Sequence, residues 1–381
     1  MPYFPRAAVP ALDRVQLILR DRRAHPVWIV PRPSGCVDYY RARLPARITG
    51  GEVVHELLVS RDGEGPTPLD VYSLKEDSFS GVSSLAIYGL GTPTIVQAEG
   101  VALQLGGLDS LASLTALISA VNRRGGEICV DLQDNVFLSK WMALRPVYGD
   151  LARSTRHCIA ATDPLRLVLA GVLGDDVDIR VARNPFDPLE FKHVERKPDG
   201  SVRVGYGGSI THDGDLRDQA IGALLAAAEL PNVELHFFGW HPQFVASRAP
   251  GVYPLNGRQY TYHGSYRDVV EYQASIGILD VAIAPLSDND FNICKSSTKW
   301  VEHSCHETAM VVSDIPGGPY ERLVDGVSGF RADSPEMFTR RVLELCSSPE
   351  LRKRIGQNAR EAVMGAYTTS HLSSEWKEAL R

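Results

Sequence analysis

The stretch that most constrains this chain runs from Asp280 to Asp314. It opens with Val281-Ala-Ile-Ala284, an apolar run closed by Pro285, and it ends with Met310-Val-Val-Ser313. Runs this short and this apolar, without polar alternation, suit parallel strands buried on both faces. Between them lies a polar loop, 287–295, followed by Ser296-Ser297-Thr298, residue types that favour helix starts. Lys299 and Glu302 then stand three positions apart and share one helical face. The spacing predicts a strand, a loop, a helix and a second strand.

Such a unit has the chemistry of an anion cradle with a carboxylate beside it. Backbone N–H groups at a helix start, here near Ser296, Ser297 and Thr298, can receive phosphate oxygens. Lys295 and Lys299 add positive charge, and Glu302, one turn further, can accept hydrogen bonds from sugar hydroxyls. A nucleoside diphosphate has this layout, a charged diphosphate next to a diol-bearing ribose. The chain holds 8 lysines against 32 arginines, so two lysines in this loop and helix are a local concentration. The same spacing also fits an ordinary surface helix with a solvated Lys/Glu pair.

The ordered run Pro285-Leu286, Asn292, Lys295-Ser296, Lys299, Glu302, Val311-Val-Ser-Asp314 and Pro319-Tyr320 resembles the donor-sugar half of family-4-type glycosyltransferases. That resemblance implies the GT-B fold: α/β, with two Rossmann-like domains facing each other across a cleft and a C-terminal helix crossing back to the first domain. It implies that Glu302 holds the ribose, and that Lys295, Lys299 and the helix start hold the diphosphate. The expected domains are 1–191 with 366–381 on the acceptor side, and 192–365 on the nucleotide-sugar donor side. Many family members carry two glutamates separated by seven residues. The second matches Glu302, but the first falls at Cys294, a departure that bears on whether anomeric configuration is retained. Retention is what the family implies.

Composition sets the bounds. A chain of 381 residues is long enough for two domains, each with its own core. Apolar content of 44% and charged content of 23% are ordinary for a globular protein, and a net charge of -6 gives no basic field for nucleic acid. The six cysteines lack C-x-x-C spacing, which argues against zinc or a disulfide framework and fits a reducing cytoplasm. No apolar run approaches the roughly 18 residues that span a bilayer, and 1–10 lacks the apolar core of a secretory signal. The first sixty or so residues hold arginines such as Arg14, Arg22 and Arg41 but no lysine. That local basic surplus is compatible with an anionic acceptor or with membrane headgroups at the inner face of a membrane, and equally with a solvated surface.

Along the chain, 27–30 reads as a first strand running into a turn at Gly35 and a helix carrying Arg41. Short strands are expected at 57–60, 85–88 and 94–97, and an amphipathic helix at 108–121. The segment 127–135 reads as a strand entering an acidic loop, with Asp131 and Asp134 where open α/β sheets place their sites. Gly35, Arg41, Asp131 and Asp134 are thus the acceptor-side candidates, although Asp134 also suits a helix cap. Strands at 157–161 and 178–181 complete the domain, and the polar segment 192–200 is the expected linker.

The second domain opens with a strand, 202–206, then Gly207-Gly208-Ser209 and His212, then one apolar helix over 216–230. A dinucleotide-binding fingerprint would need glycine at position 210, which is Ile210. The resemblance puts Gly207, Gly208, Ser209 and His212 beside the donor diphosphate. It puts the loop at Gly264, Ser265 and Tyr266, after a strand near 260–263, against the nucleotide base. Asn292 completes the donor-binding set.

The expected reaction is transfer of a sugar from a nucleotide-diphosphate sugar to a hydroxyl of a saccharide, a lipid-linked saccharide or another acceptor. Lys295 and Lys299 would stabilise the departing diphosphate, so neither a metal nor a separate cofactor is called for. Asp288-Asn-Asp290 has the look of a metal-binding D-x-D but reads better as a solvated turn. Two alternatives stay open: a sugar-nucleotide epimerase on the same fold, and a silent subunit that binds a nucleotide sugar.

Overall fold

The computed structural model describes residues 14–17, 27–29, 39–54, 56–60, 67–70, 84–88, 97–99, 127–135, 153, 155, 157–196, 199–208, 212–239, 260–264, 266 and 268–381. The chain divides into two compact units, one of Met1–Asn184 with Leu372–Arg381, the other of Pro185–His371. The segment 192–200, expected as a linker, begins inside the second unit. Its Arg196 donates to Glu307 O at 3.0 Å and to Thr308 Oγ1 at 3.2 Å, and also to Leu279 O, which pins it to the strand bases.

In the first unit β1 (Arg14–Leu17), β4 (Glu56–Ser60), β5 (Thr67–Asp70) and β7 (Gln97–Glu99) form an antiparallel sheet in the order β5-β4-β1-β7. A six-stranded sheet of order β10-β9-β8-β6-β2-β3 joins β2 (Val27–Ile29), β3 (Glu52–Val54), β6 (Ser84–Tyr88), β8 (Glu127–Leu132), β9 (His157–Ala160) and β10 (Ile179–Val181). There β8, β9 and β10 are mutually parallel, while β6 runs antiparallel to both β2 and β8. The expected strands at 57–60 and 85–88 therefore exist but pair antiparallel. An apolar run reports burial and not direction. The expected helix at 108–121 lies outside the described residues. Of the helices, α1 (Leu44–Thr49) ends at Gly50 in the left-handed region, φ 75, and α2 (Asp163–Leu173) is capped by Thr162, whose hydroxyl accepts from Leu165 N at 3.2 Å.

The C-terminal helix, Ser373–Ala379, belongs to this first unit. Its buried stripe is Leu372, Trp376 and Ala379, with Leu380 only half-buried. Trp376 sets its edge on Trp28 at 5.6 Å and donates Nε1–H to Arg183 O at 2.9 Å. Arg183 in turn pairs with Glu375 at 2.7 Å.

The second unit is a parallel six-stranded sheet of order β13-β12-β11-β14-β15-β16. Its strands are β11 (Val202–Gly208), β12 (Val233–Gly239), β13 (Tyr260–Tyr262), β14 (Val281–Ala284), β15 (Ala309–Ser313) and β16 (Phe330–Ala332). The chain builds outward from β11 to one side and then returns to begin again at β14 on the other. That reversal between β11 and β14 is the switch point at which doubly wound sheets hold ligands, beyond the carboxyl ends of the strands. Val204, Phe237, Val281, Ile283 and Val311 fill the interior against Leu224, Phe338 and Val342.

The helices are α3 (Asp213–Gln219), α4 (Ile221–Ala227), α5 (Val269–Ile276), α6 (Thr298–Ser304), α7 (Pro335–Ser347) and α8 (Pro349–Met364). The single helix expected over 216–230 is two, broken at Ala220, whose φ of -142 leaves the helical region. The strand β16 was not anticipated: it is three residues long and centred on Arg331. Helix α8 passes so close to the turn after α6 that a Cβ at Gly356 would collide with the backbone of Glu307. Glu307 is itself left-handed, at φ 57.

Candidate functional site

At the switch point, β11 ends in Gly207-Gly208 and β14 is followed by Pro285-Leu286. The Lys299 ammonium lies 4.7 Å from the centroid of the Tyr206 ring. It also rests against Gly208, where a Cβ would meet Lys299 Nζ at 2.9 Å and collide with the Tyr206 hydroxyl. A side chain at this position would have to displace both. Lys295 stands over the Phe291 ring at 4.2 Å. Each ammonium is therefore seated on an aromatic face, an attraction of about 0.5–1 kcal/mol at an exposed site.

A residue that sequence reasoning passed over organises this edge. Asp215, in the first turn of α3, accepts from His212 Nδ1 at 2.8 Å through one oxygen. Through the other it accepts from Ser287 N at 2.8 Å and from Asn292 Nδ2 at 3.0 Å. Asn292 also donates to Ser287 O at 2.9 Å and is buried. One carboxylate thus ties the start of α3 to the loop after β14. Burial works against its charge, yet the bonds from His212 and Ser287 hold it below the usual carboxylate range. Burial also holds His212 below the ordinary imidazole value, with Asp215 opposing that shift and Lys299 and Lys295 adding to it. The only sequence signal for Asp215 was an acidic residue in the turn after a glycine pair.

Helix α6 is not a surface helix. Trp300, Val301, Glu302, His303 and Ser304 are all buried, with Glu302 only 4% exposed. Ser297 occupies the cap position, but its side chain does not cap the helix as expected. Its hydroxyl accepts instead from Tyr320 N at 3.2 Å and from the Tyr367 hydroxyl at 3.4 Å. Tyr320 is buried and left-handed at φ 71, so this contact holds a conformation that side chains resist. Ser296 and Thr298 share a hydrogen bond at 2.8 Å. Cys294 is wholly buried.

On the other side of β11, Gly264 is left-handed at φ 80 and its carbonyl accepts from Gly239 N at 2.6 Å. Tyr266 leans on Tyr272 with centroids 5.8 Å apart. Next to them His236 and His263 share a ring hydrogen bond at 2.9 Å, and His263 stacks on Phe238 at 4.3 Å. Gly35, Ser209 and Ser265 lie outside the described residues.

The acceptor-side candidates behave differently. Arg41 and Asp131 are both completely buried and paired with each other, with Arg41 Nε to Asp131 Oδ2 at 2.8 Å. Arg41 Nη1 also donates to Ala182 O at 2.5 Å and to Asn184 Oδ1 at 3.0 Å, and the guanidinium lies 4.6 Å from the Trp376 centroid. This pair braces the interior of the first unit. Asp134 sits half-buried in the bend after β8, and the expectation that it caps a helix falls outside the described residues. Asp288 and Asp290 are exposed, in a turn shaped by Asn289 Oδ1 accepting from Phe291 N at 3.0 Å and Asn292 N at 2.9 Å. Among the described residues, no group of three or more His, Cys, Asp or Glu is placed to hold a metal ion. No helix among them is long and apolar enough to cross a membrane.

The fold has solved counterparts. HepE from Anabaena, in complex with UDP-glucose, superposes with a TM-score of 0.56 at 16% identity, over 71% of this chain and 76% of that one. TarM from S. aureus, as a mutant in complex with Fondaparinux, alpha-GlcNAc-glycerol and UDP, does so with a TM-score of 0.55 at 13% identity, over 86% and 67%. No protein-family model and no curated protein sequence matches the chain. Likeness at this level of identity establishes the fold: the chain is built as GT-B glycosyltransferases are.

Proposed function

We propose that the chain transfers a sugar from a nucleotide-diphosphate sugar to a hydroxyl acceptor, and that the donor binds at the carboxyl edge of the second unit. One observation carries this reading. At the switch point of the second sheet a glycine edge, the Lys299 ammonium and the His212–Asp215–Asn292 linkage meet, with Glu302 one turn beyond Lys299. The folds that share this architecture include HepE, solved with UDP-glucose, and TarM, solved with UDP. In this reading Lys299 and Lys295 take the diphosphate oxygens and Glu302 accepts from the ribose hydroxyls.

Negative charge grows on the diphosphate as the glycosidic bond breaks, so ammonium groups fixed in advance stabilise the transition state more than the ground state. Retention and metal independence form part of the proposal: the first rests on the resemblance, the second on the two lysines. The acceptor is a hydroxyl compound, and contact with a membrane surface is compatible with its being lipid-linked.

The test is incubation of the purified chain with a panel of nucleotide sugars, with and without mixed saccharide and lipid-linked acceptors. A new glycoside by mass spectrometry is expected. Isomerisation of the donor alone would instead identify an epimerase, and no change in either a silent binding subunit. A thermal-shift screen comes first, because a nucleoside diphosphate at 100 times its dissociation constant stabilises by about 2.7 kcal/mol.

A further inference from the structure

The carboxylate of Asp215 has a consequence for the protonation of the crevice. An ionised carboxylate only accepts hydrogen bonds, so its 2.8 Å contact with His212 Nδ1 places the imidazole proton on Nδ1. Nε2 is left as a bare lone pair, and it has no partner among the described residues. The side chains of His212 and Asp215 retain 14% and 11% exposure, so the pair is not closed off from solvent. The charged groups around it are Asp215 on its own helix, Lys295 from the loop after β14 and Lys299 from α6. Burial and the two ammonium groups oppose a second proton on the ring.

A diphosphate reverses that balance. Its negative charge offsets Lys295 and Lys299, and a bare nitrogen lone pair facing phosphate oxygens is repulsive where an N–H would be attractive. We propose that His212 takes up one proton when the diphosphate of the donor binds, and then donates Nε2–H to it. The proton comes from solvent and returns there when the diphosphate product leaves, so none is consumed in the cycle. Asp215 acts as a positioning residue: it fixes the tautomer and supports the imidazolium, while its other oxygen holds Ser287 and Asn292 in place. This inference rests on the donor-site reading above and adds a proton to it.

The test uses UDP-glucose, GDP-mannose and ADP-glucose, which are diphosphate diesters. They lack the terminal phosphate that in a free nucleoside diphosphate titrates with a pKa of about 6, so any proton taken up belongs to the protein. Calorimetry of the tightest of them near neutral pH, in buffers of differing ionisation enthalpy, gives the number of protons bound. Uptake approaching one is expected, with affinity weakening by up to about tenfold per pH unit as pH rises through the bound-state pKa.

His212→Gln is expected to remove the uptake and flatten the pH dependence, with affinity converging on wild type at alkaline pH. Asp215→Asn is expected to reduce the uptake as well, since an amide no longer enforces the tautomer. Nitrogen chemical shifts of the His212 ring in the wild-type protein read the same event without a variant. They are expected to move from a neutral Nδ1–H form to imidazolium when the diester is added. Binding with no proton uptake, or uptake that persists in His212→Gln, overturns the inference and leaves the donor site standing. Failure of all three diesters to bind overturns both.

Discussion

Two aspartates show what separates a structural charge from one available for chemistry. Asp131 directs both of its oxygens at Arg41, and Arg41 Nη1 donates to Ala182 O and Asn184, so two charges are closed off from solvent. Asp215 divides its oxygens between an imidazole and a loop, and the imidazole keeps one nitrogen in hand. Both contacts join an aspartate to a basic side chain, Asp131 from within β8 and Asp215 from the first turn of α3. The difference is valence. A pair whose every donor and acceptor is satisfied inside the protein braces it, whereas a pair with one atom left over at a strand edge can act on something else.

Breaking the closed pair gives the largest expected effect. Arg41→Ala leaves the Asp131 carboxylate buried without its counter-charge, which costs about 3–5 kcal/mol. Denaturant titration followed by fluorescence of the tryptophans checks it, and a loss under about 1 kcal/mol would mean that the pair is more hydrated than its burial indicates.

Opening the other region changes binding before stability. Glu302→Ala is expected to weaken donor binding by about 1.5–3 kcal/mol, roughly 10- to 150-fold, as the loss of a charged hydrogen bond to the ribose. Lys299→Ala is expected to lower turnover as well, because its contribution grows toward the transition state. Steady-state kinetics with varied donor separate the two, the first mainly in KM and the second in kcat. Nucleotide binding by Glu302→Ala at wild-type affinity would place the donor elsewhere.

Acid sharpens the contrast from a third position. His303 and His306, on the buried flank of α6 and just beyond it, are pushed down to about 3 and about 4, first by burial and then by neighbouring positive charge. Their folded pKa values lie below the unfolded one, so the unfolded state binds more protons as pH falls. Stability is fully present above about pH 6.5 and is lost progressively toward pH 4, by up to about 1.4 kcal/mol per pH unit for each histidine. Denaturation midpoints across that range provide the measurement, and His303→Gln should flatten the curve.

The smallest expected effect is none. Activity should persist in excess chelator, because Asp288 and Asp290 stand exposed on a turn while the lysines carry the diphosphate. Loss with EDTA that manganese or magnesium restores would bring those aspartates back as ligands.

Most strands of the second unit were legible because they are short apolar runs, several of them punctuated by proline or glycine. Val281–Ala284 and Ala309–Ser313 could hardly be anything else. The break at Ala220 was not legible: the residues on either side are good helix formers, and only the packing of two short helices reveals it. Phe330–Ala332 escaped because three residues carry no period. Local spacing and resemblance singled out Lys295, Lys299, Glu302 and Asn292 as donor-site candidates. They missed Asp215 because that residue's partners, Ser287 and Asn292, lie 72 and 77 positions away. The pairing of Arg41 with Asp131 was not legible for the same reason, since a strand-end aspartate looks alike whether an arginine 90 positions earlier is folded onto it or not.

The crossing of α8 over the turn after α6 also limits how this protein can vary over generations. At Gly356 the obstacle is the backbone of Glu307 and not the tip of a movable side chain, so even alanine forces the two segments apart. Helix α6, which carries Lys299 and Glu302, ends at that turn. A single added methyl would therefore shift the bed on which the helix lies, and no conservative exchange at position 356 alone restores it. Lineages of this chain should tolerate wide change on the outer face of α8 while keeping glycine at this one crossing, which acts as a spacer gauge for a site it never touches.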